Sequence, residues 1–143
     1  MPRLFTDDLV AVEDGNYPIS PKPKPKILII DDDDGVREIV SMLLDQQGFE
    51  TVEAADGKTA LRLAAEIHFN AVLCDNLMPG MCGTEVVTRL RARPDTAHTP
   101  IILSSGRMDT LDESILDFCT YLLPKPFLPR ELAAVMTAAL ATD

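Results

Sequence analysis

The stretch Lys26-Ile27-Leu28-Ile29-Ile30-Asp31-Asp32-Asp33-Asp34 decides the fold. Its four consecutive apolar residues, three of them β-branched, do not alternate with polar ones. That pattern predicts a strand buried on both faces. Downstream, Val36, Ile39, Val40, Leu43 and Leu44 recur at helical spacing, and Gly48 follows as a C-terminal cap. Glu50 to Glu53 predicts a short second strand. Ala60, Leu61, Leu63, Ala64 and Ile67 predict a second helix, opened near Asp56-Gly57. Ala71-Val72-Leu73-Cys74 predicts a third strand. Val86, Val87 and Leu90 mark a third helix that stops before Pro94. Ile101-Ile102-Leu103 is a fourth strand, residues 109–118 a weakly patterned fourth helix, and Tyr121-Leu122-Leu123 a fifth strand. Leu132, Val135, Met136, Ala139 and Leu140 give the last helix.

Strands alternating with helices imply an α/β fold, a parallel sheet covered on both faces. Crossovers of this length should be right-handed, and helices on both faces make the fold doubly wound. Ligand sites in such sheets lie at the carboxyl ends of the strands, near the switch in strand order. The residues there are Asp31 to Asp34 after strand one, Asp75-Asn76-Leu77-Met78-Pro79-Gly80 after strand three, Ser104-Ser105-Gly106 after strand four and Pro124-Lys125-Pro126 after strand five. In a sheet of order 2-1-3-4-5 these ends converge. Packed carboxylates raise one another's pKa unless a cation joins them. A hard divalent ion such as Mg²⁺ is suited to oxygen ligands of this kind. An Asp carboxylate can attack phosphorus, Lys125 can pair with a phosphate oxygen, and Ser105 can donate to another. Together these groups describe a phosphoryl-transfer site.

The composition excludes several other classes. The chain has 143 residues, 46% apolar and 25% charged, with 13 basic against 23 acidic side chains and a net charge of −10. The length fits one domain with an ordinary core. The hydrophobicity argues against disorder. The acidity argues against direct nucleic-acid binding. No apolar run approaches the ~20 residues of a membrane span. Asp7, Asp8, Glu13 and Asp14 exclude a signal peptide. Cys74, Cys82 and Cys119 fit neither a disulfide framework nor a zinc site, and read as reduced thiols of a cytoplasmic protein. His68 and His98 read as surface residues. Residues 1–25 differ from the rest. Pro18 to Pro25 contains four of the eleven prolines and reads as a semi-rigid spacer. Residues 1–17 are an arm, a leader without function or a docking element, in which Thr6 is positioned to cap a short helix through Val12.

From Lys26 onward the chain resembles a response-regulator receiver domain of the CheY-like family. The resemblance is carried by Ile27 to Asp32, by Asp75 with its Met78-Pro79-Gly80 turn, by Pro100 to Gly106, and by Lys125-Pro126-Phe127. Each motif alone is weak, but all four occur in order, each closing an expected strand. The resemblance implies a flavodoxin-like (βα)5 fold with residues 26–143 as the domain. It implies that Asp75 is the phosphoacceptor and that Asp31, Asp32, Asp75 and the Leu77 backbone carbonyl hold Mg²⁺. Ser105 and Lys125 would contact the phosphoryl group, and Lys125-Pro126 would be cis. A histidine kinase or a histidine phosphotransfer protein would be the donor. The output would be contact with a downstream protein effector, with a homodimer possible through the face of the fourth helix, fifth strand and fifth helix. Chemistry would be limited to self-phosphorylation and autodephosphorylation, without nucleic acid or membrane. Because the sequence stops after the fifth helix, no output domain is expected.

Several positions depart from the family pattern. Asn76 stands where an apolar residue is usual. Leu122 occupies the place of the switch aromatic, with Tyr121 beside it as a core residue or a mobile one. The span from Ser105 to Lys125 is about two residues short and lacks the usual Gly-Ala-Asp, so the fourth helix should be short or irregular and the output face altered. Asp33 stands where Glu is frequent, and Asp34 reads as a helix N-cap. Leu77 and Arg107 flank the path of an attacking water. Leu77 cannot orient water, which implies a long-lived aspartyl phosphate. A phosphatase-type hydrolase would need a second acid at Leu77. A degenerate receiver acting only as an adaptor, and a receiver module detached from a hybrid kinase or multidomain regulator, are the other readings.

Overall fold

The computed structural model describes residues 23–141. The arm and most of the spacer lie outside the described residues. The elements run β1 (Lys26–Ile30), α1 (Asp34–Gln46), β2 (Glu50–Ala54), α2 (Gly57–Glu66), β3 (Ala71–Asp75), α3 (Gly83–Arg91), β4 (Ile101–Ser105), a 3₁₀ turn (Met108–Thr110), α4 (Glu113–Leu116), β5 (Tyr121–Pro124) and α5 (Pro129–Ala141). All strand pairs are parallel, in the order β2-β1-β3-β4-β5. The expected fold class is therefore the observed one.

The continuous apolar run explains the layering. Ile27, Leu28, Ile29 and Ile30 are all at most 1% exposed. Leu28 and Ile30 face one core with Val72, Cys74, Ala60, Val86 and Leu90, beneath α2 and α3. Ile27 and Ile29 face the other core with Leu73, Leu44, Leu132 and Met136, beneath α1 and α5. A strand with period-two side chains can serve two cores only if both sets are apolar.

Register sets the height of the functional ends. Ile30 pairs with Cys74, Asp75 with Ser104, and Ser105 with Pro124. Asp31 and Asp75 thus stand at one level, with Ser105 and Lys125 slightly further along at the same carboxyl edge of the sheet.

Two local expectations are corrected. The first concerns the cap of α1. Asp33, not Asp34, is the N-cap: its backbone is extended and its Oδ1 accepts from Val36 N at 3.1 Å. Asp34 is the first helical residue, and its carboxylate pairs with Arg37 at 2.6 Å. In a run of four aspartates composition cannot distinguish these two places.

The second concerns residues 109–118, which do not form one helix; the fourth helix is short and irregular, as the shortened span before Lys125 implied. The 3₁₀ turn ends at Leu111, whose backbone is extended, and Asp112 then caps the single turn of α4 by accepting from Ser114 N. In α4 only Ile115 is buried. The segment is fastened from outside by Arg91, whose Nε donates to Phe118 O at 2.8 Å while Nη1 donates to the carbonyls of Thr96, Ala97 and Thr99. Gly48, with φ of +97°, follows the α1 C-cap as expected.

Leu28→Ala should lower the unfolding free energy by about 2–5 kcal/mol, because a fully buried leucine leaves a cavity between two packed layers. Ile39→Ala, on the exposed face of α1, should change it by no more than about 0.5 kcal/mol. Urea denaturation of the two variants checks the contrast.

Candidate functional site

Asp31 follows β1 and Asp75 ends β3; both are buried, at 5% and 7% exposure. The Asp31 carboxylate is held by two contacts: Oδ1 accepts from Asp33 N at 2.9 Å, and Oδ2 accepts from Lys125 Nζ at 3.1 Å. Lys125 Nζ is also 3.1 Å from Asp75 Oδ1. Asp32 is exposed, yet it offers a carboxylate oxygen to the same cluster. The three ligand atoms of Asp31, Asp32 and Asp75 lie within 4.8 Å of one another. Ser105 is buried at the end of β4, and its Oγ accepts from Arg107 N at 3.0 Å. Lys125-Pro126 is a cis peptide. The structure thus brings together Asp31, Asp32, Asp75, Ser105 and Lys125. Leu77 stands at the rim, 52% exposed. Its carbonyl accepts no hydrogen bond among the described residues, which leaves it free as an oxygen ligand.

The electrostatics follow from the packing. Burial pushes the Asp75 carboxyl above its ordinary pKa; Lys125 pulls it down, and the charges of Asp31 and Asp32 push it up again. Lys125 is held above its ordinary value: burial opposes its charge, but Asp31 and Asp75 more than offset burial. Three carboxylates face one ammonium, so the protein's own residues leave the cluster short of positive charge. An oxygen-rich, under-neutralised cluster of this size suits a hard divalent cation.

Three positioning features carry no sequence signal of their own. Arg37 is one turn into α1. Its Nη1 donates to the Asp31 carbonyl at 2.7 Å, and its other nitrogens bond Asp34 and Glu53. It therefore ties the acidic loop to the helix and to β2. Gly83 begins α3 directly against the acceptor loop, donating its N–H to Asn76 O at 2.9 Å. A Cβ at Gly83 would collide with Asp75 O and would stand 2.7 Å from Asn76 Cα. Gly57 lets α2 approach α3: its Cβ would meet Val86 at 2.7 Å.

The departures also resolve. Asn76 is buried, with its N–H donated to Ser104 O and its Oδ1 without a partner. Tyr121 packs against the α1/α5 core, as a core residue would, while Leu122 is exposed on the opposite face of β5. His68 and His98 are exposed.

Comparisons with known proteins agree with this geometry. The family model described as "Response regulator receiver domain" matches residues 27–137. The transcriptional regulatory protein SrrA of Staphylococcus aureus is 34% identical over 121 residues, covering 80% of this chain and 47% of SrrA. The chain thus spans about half the length of the curated relatives it matches. The chemotaxis response regulator CheY4 of Vibrio cholerae superimposes with a TM-score of 0.76 at 31% identity, covering 82% of this chain and 99% of that one. The response regulator TrrA of Thermotoga maritima, solved in complex with Mg²⁺-BeF, gives 0.76 at 26% identity, covering 81% and 99%. With its fold, its motifs and this match, the chain belongs to the response-regulator receiver domain family of two-component systems.

The raised pKa of Asp75 has a defined sign in stability. Ionising this carboxyl costs more in the fold than in the unfolded chain. The penalty is absent at acid pH and develops as pH rises through the folded-state pKa. In Mg²⁺-free buffer at neutral pH, Asp75→Asn should therefore melt above the wild type, by about 4 °C for each ~1 kcal/mol relieved. The gap should close as pH falls into the carboxylate range. Added Mg²⁺ should raise the wild-type melting temperature more than the variant's. Thermal melts over pH and Mg²⁺ check all three.

Proposed function

We propose that this chain is a phosphoacceptor switch, taking a phosphoryl group onto Asp75 from the phosphohistidine of a histidine kinase or histidine phosphotransfer protein. The observation that carries the reading is the Lys125 ammonium, 3.1 Å from carboxylate oxygens of both Asp31 and Asp75. An ammonium between a nucleophile and its acidic neighbour favours the ionised nucleophile against its burial and stands ready for the oxygens of an incoming phosphoryl group.

The transfer uses this chain's own groups as follows. A free Asp75 carboxylate oxygen attacks phosphorus, the phosphorus–nitrogen bond of the donor breaks, and the imidazole leaves. Lys125 Nζ turns from Asp75 toward a phosphoryl oxygen. The Ser105 hydroxyl, which accepts from the Arg107 amide, retains its own proton to donate to another phosphoryl oxygen. Asp31, Asp32, Asp75 and the Leu77 carbonyl would hold Mg²⁺, which supplies charge neutralisation at the reacting oxygens when bound. Loss of the Lys125–Asp75 pair and capture of Ser105 then bias the β4-to-β5 surface between two arrangements. Chemistry beyond self-phosphorylation and autodephosphorylation is not part of the reading.

A donor also needs a surface. Beside Lys125 an apolar groove of about 630 Å³ runs between α1 and the start of α5, lined by Val36, Ile39, Leu43, Phe127 and Pro129. Ile39 is exposed along it. The groove fits an apolar helix face that carries the phosphohistidine at its edge. On the other side, exposed Leu116, Phe118 and Leu122 mark the face for a downstream protein effector or a second copy. No helix among the described residues is long and apolar enough to cross a membrane, and the reading places the chain in the cytoplasm.

Incubation with Mg²⁺ and acetyl phosphate should add one phosphate to the wild type and none to Asp75→Ala, by intact mass. Phosphate on neither folded protein would favour an adaptor that never takes phosphate. The aspartyl phosphate, with apolar Leu77 beside it, should persist for minutes or longer; hydrolysis within seconds would contradict that part of the reading.

A further inference from the structure

The apolar groove between α1 and α5 reaches the place where the chain before β1 joins the domain. Two hydrogen bonds fix that place. Pro25 O accepts from Glu50 N at 2.9 Å, which seats the chain entering β1 against the start of β2. Gln47, three residues before Glu50, donates from Nε2 to Pro129 O at 3.4 Å, and Pro129 is a groove wall. The groove thus begins a few residues from the point where the spacer attaches. The other exposed apolar face, at Leu116, Phe118 and Leu122, is remote from it, since β3 and β4 stand between β1 and β5.

The groove holds about 630 Å³, and Lys125 is the one wall residue with a polar side chain. Residues 1–22 lie outside the described residues, but their sequence carries a matching surface. Phe5, Leu9 and Val12 recur at i, i+4 and i+7, the spacing of one helix face, and Asp7 and Asp14 fall on the opposite face. A helix this short is marginal in water alone and is stabilised by an apolar surface to lie on. The spacer, Pro18 to Pro25, spans about 25 Å at ~3.1 Å per residue, whereas α1 from Val36 to Gln47 rises about 17 Å. The arm therefore reaches the whole groove.

We infer that residues 5–12 dock as a helix in the α1/α5 groove of their own chain, with Phe5, Leu9 and Val12 against Ile39, Leu43 and Phe127. Tethering makes the docking intramolecular. At an effective concentration of about 1 mM, an intrinsic Kd of ~0.1 mM fills about nine-tenths of the grooves. The docked arm covers the surface on which a phosphohistidine-bearing helix would land. The arm is then an autoinhibitory element: a protein donor must displace it, whereas a small phosphodonor need not. That consequence rests on the phosphoacceptor reading; the docking does not.

The test is a set of amide NMR spectra of the isotope-labelled full chain, without phosphodonor. The double variant Phe5→Asp/Leu9→Asp should move the resonances of Ile39, Leu43 and Phe127 and leave those of Phe118 and Leu122 in place. Ile39→Asp, on the exposed face of α1, should move the Leu9 and Val12 resonances toward their positions in a synthetic peptide of residues 1–17. Adding that peptide to the double variant should return the groove resonances toward their wild-type positions. Circular dichroism establishes that each variant is folded. About tenfold dilution should change none of these shifts, because arm and groove belong to one molecule. Groove resonances that ignore the double variant, changes centred on Phe118 and Leu122, or shifts that vary with dilution, as docking on a second copy would give, would overturn the inference. Docking is read here without phosphate, so failure of Asp75 to accept a phosphoryl group is a separate result.

Discussion

The Lys125 ammonium stands 3.1 Å from carboxylate oxygens of both Asp31 and Asp75, across a sheet whose strands arrive from distant parts of the sequence. That contact depends on register. β1, β3, β4 and β5 must end close together at the carboxyl edge for it to form, and the pairings Ile30 with Cys74, Asp75 with Ser104 and Ser105 with Pro124 fix those ends. Register in turn depends on the apolar runs that fill two cores, since a slip of one residue would exchange the faces. The stability of the hydrophobic layers thus supports an electrostatically unfavourable site. One ammonium against three carboxylates leaves charge to be matched by something that comes and goes.

The backbone around the site is held by groups whose role is geometric. Arg37 fastens the acidic loop from below through the Asp31 carbonyl. Gly83 lets α3 begin against Asp75 and Asn76, where any side chain would collide. Asp33 caps α1 while its own N–H is given to Asp31 Oδ1, so one residue starts the helix and orients a candidate metal ligand. Pre-organisation of this kind comes from local hydrogen bonds within the loops that carry the chemistry.

Most of the fold was legible because its strands are continuous apolar runs and its residues of chemical interest sit immediately after them. Strand order was legible only through the site: the four motifs make sense together in one arrangement. What the sequence hid was decided by tertiary contact. That the fourth helix would be short was visible in the shortened span before Lys125, but not that Arg91, remote in sequence, fastens Phe118 behind it. Four consecutive aspartates hid which one caps α1. Arg37 and Gly83 resemble any helical arginine and glycine until the chain is folded. Asn76 and Leu122 were visible as departures, but their surroundings were not. The structure puts the first against an open cleft and the second on an exposed face, both on the α4 side of the sheet.

The account turns on whether the cluster at the carboxyl end of the sheet accepts a tetrahedral anion against Asp75 with help from Lys125 and a divalent cation. Calorimetric titration with beryllium fluoride, which imitates a phosphoryl group on a carboxylate, tests this most directly. The account predicts one equivalent bound by the wild type, only with Mg²⁺ present, and none by Asp75→Asn. Equal binding by Asp75→Asn, or no binding by the folded wild type with Mg²⁺, would contradict it.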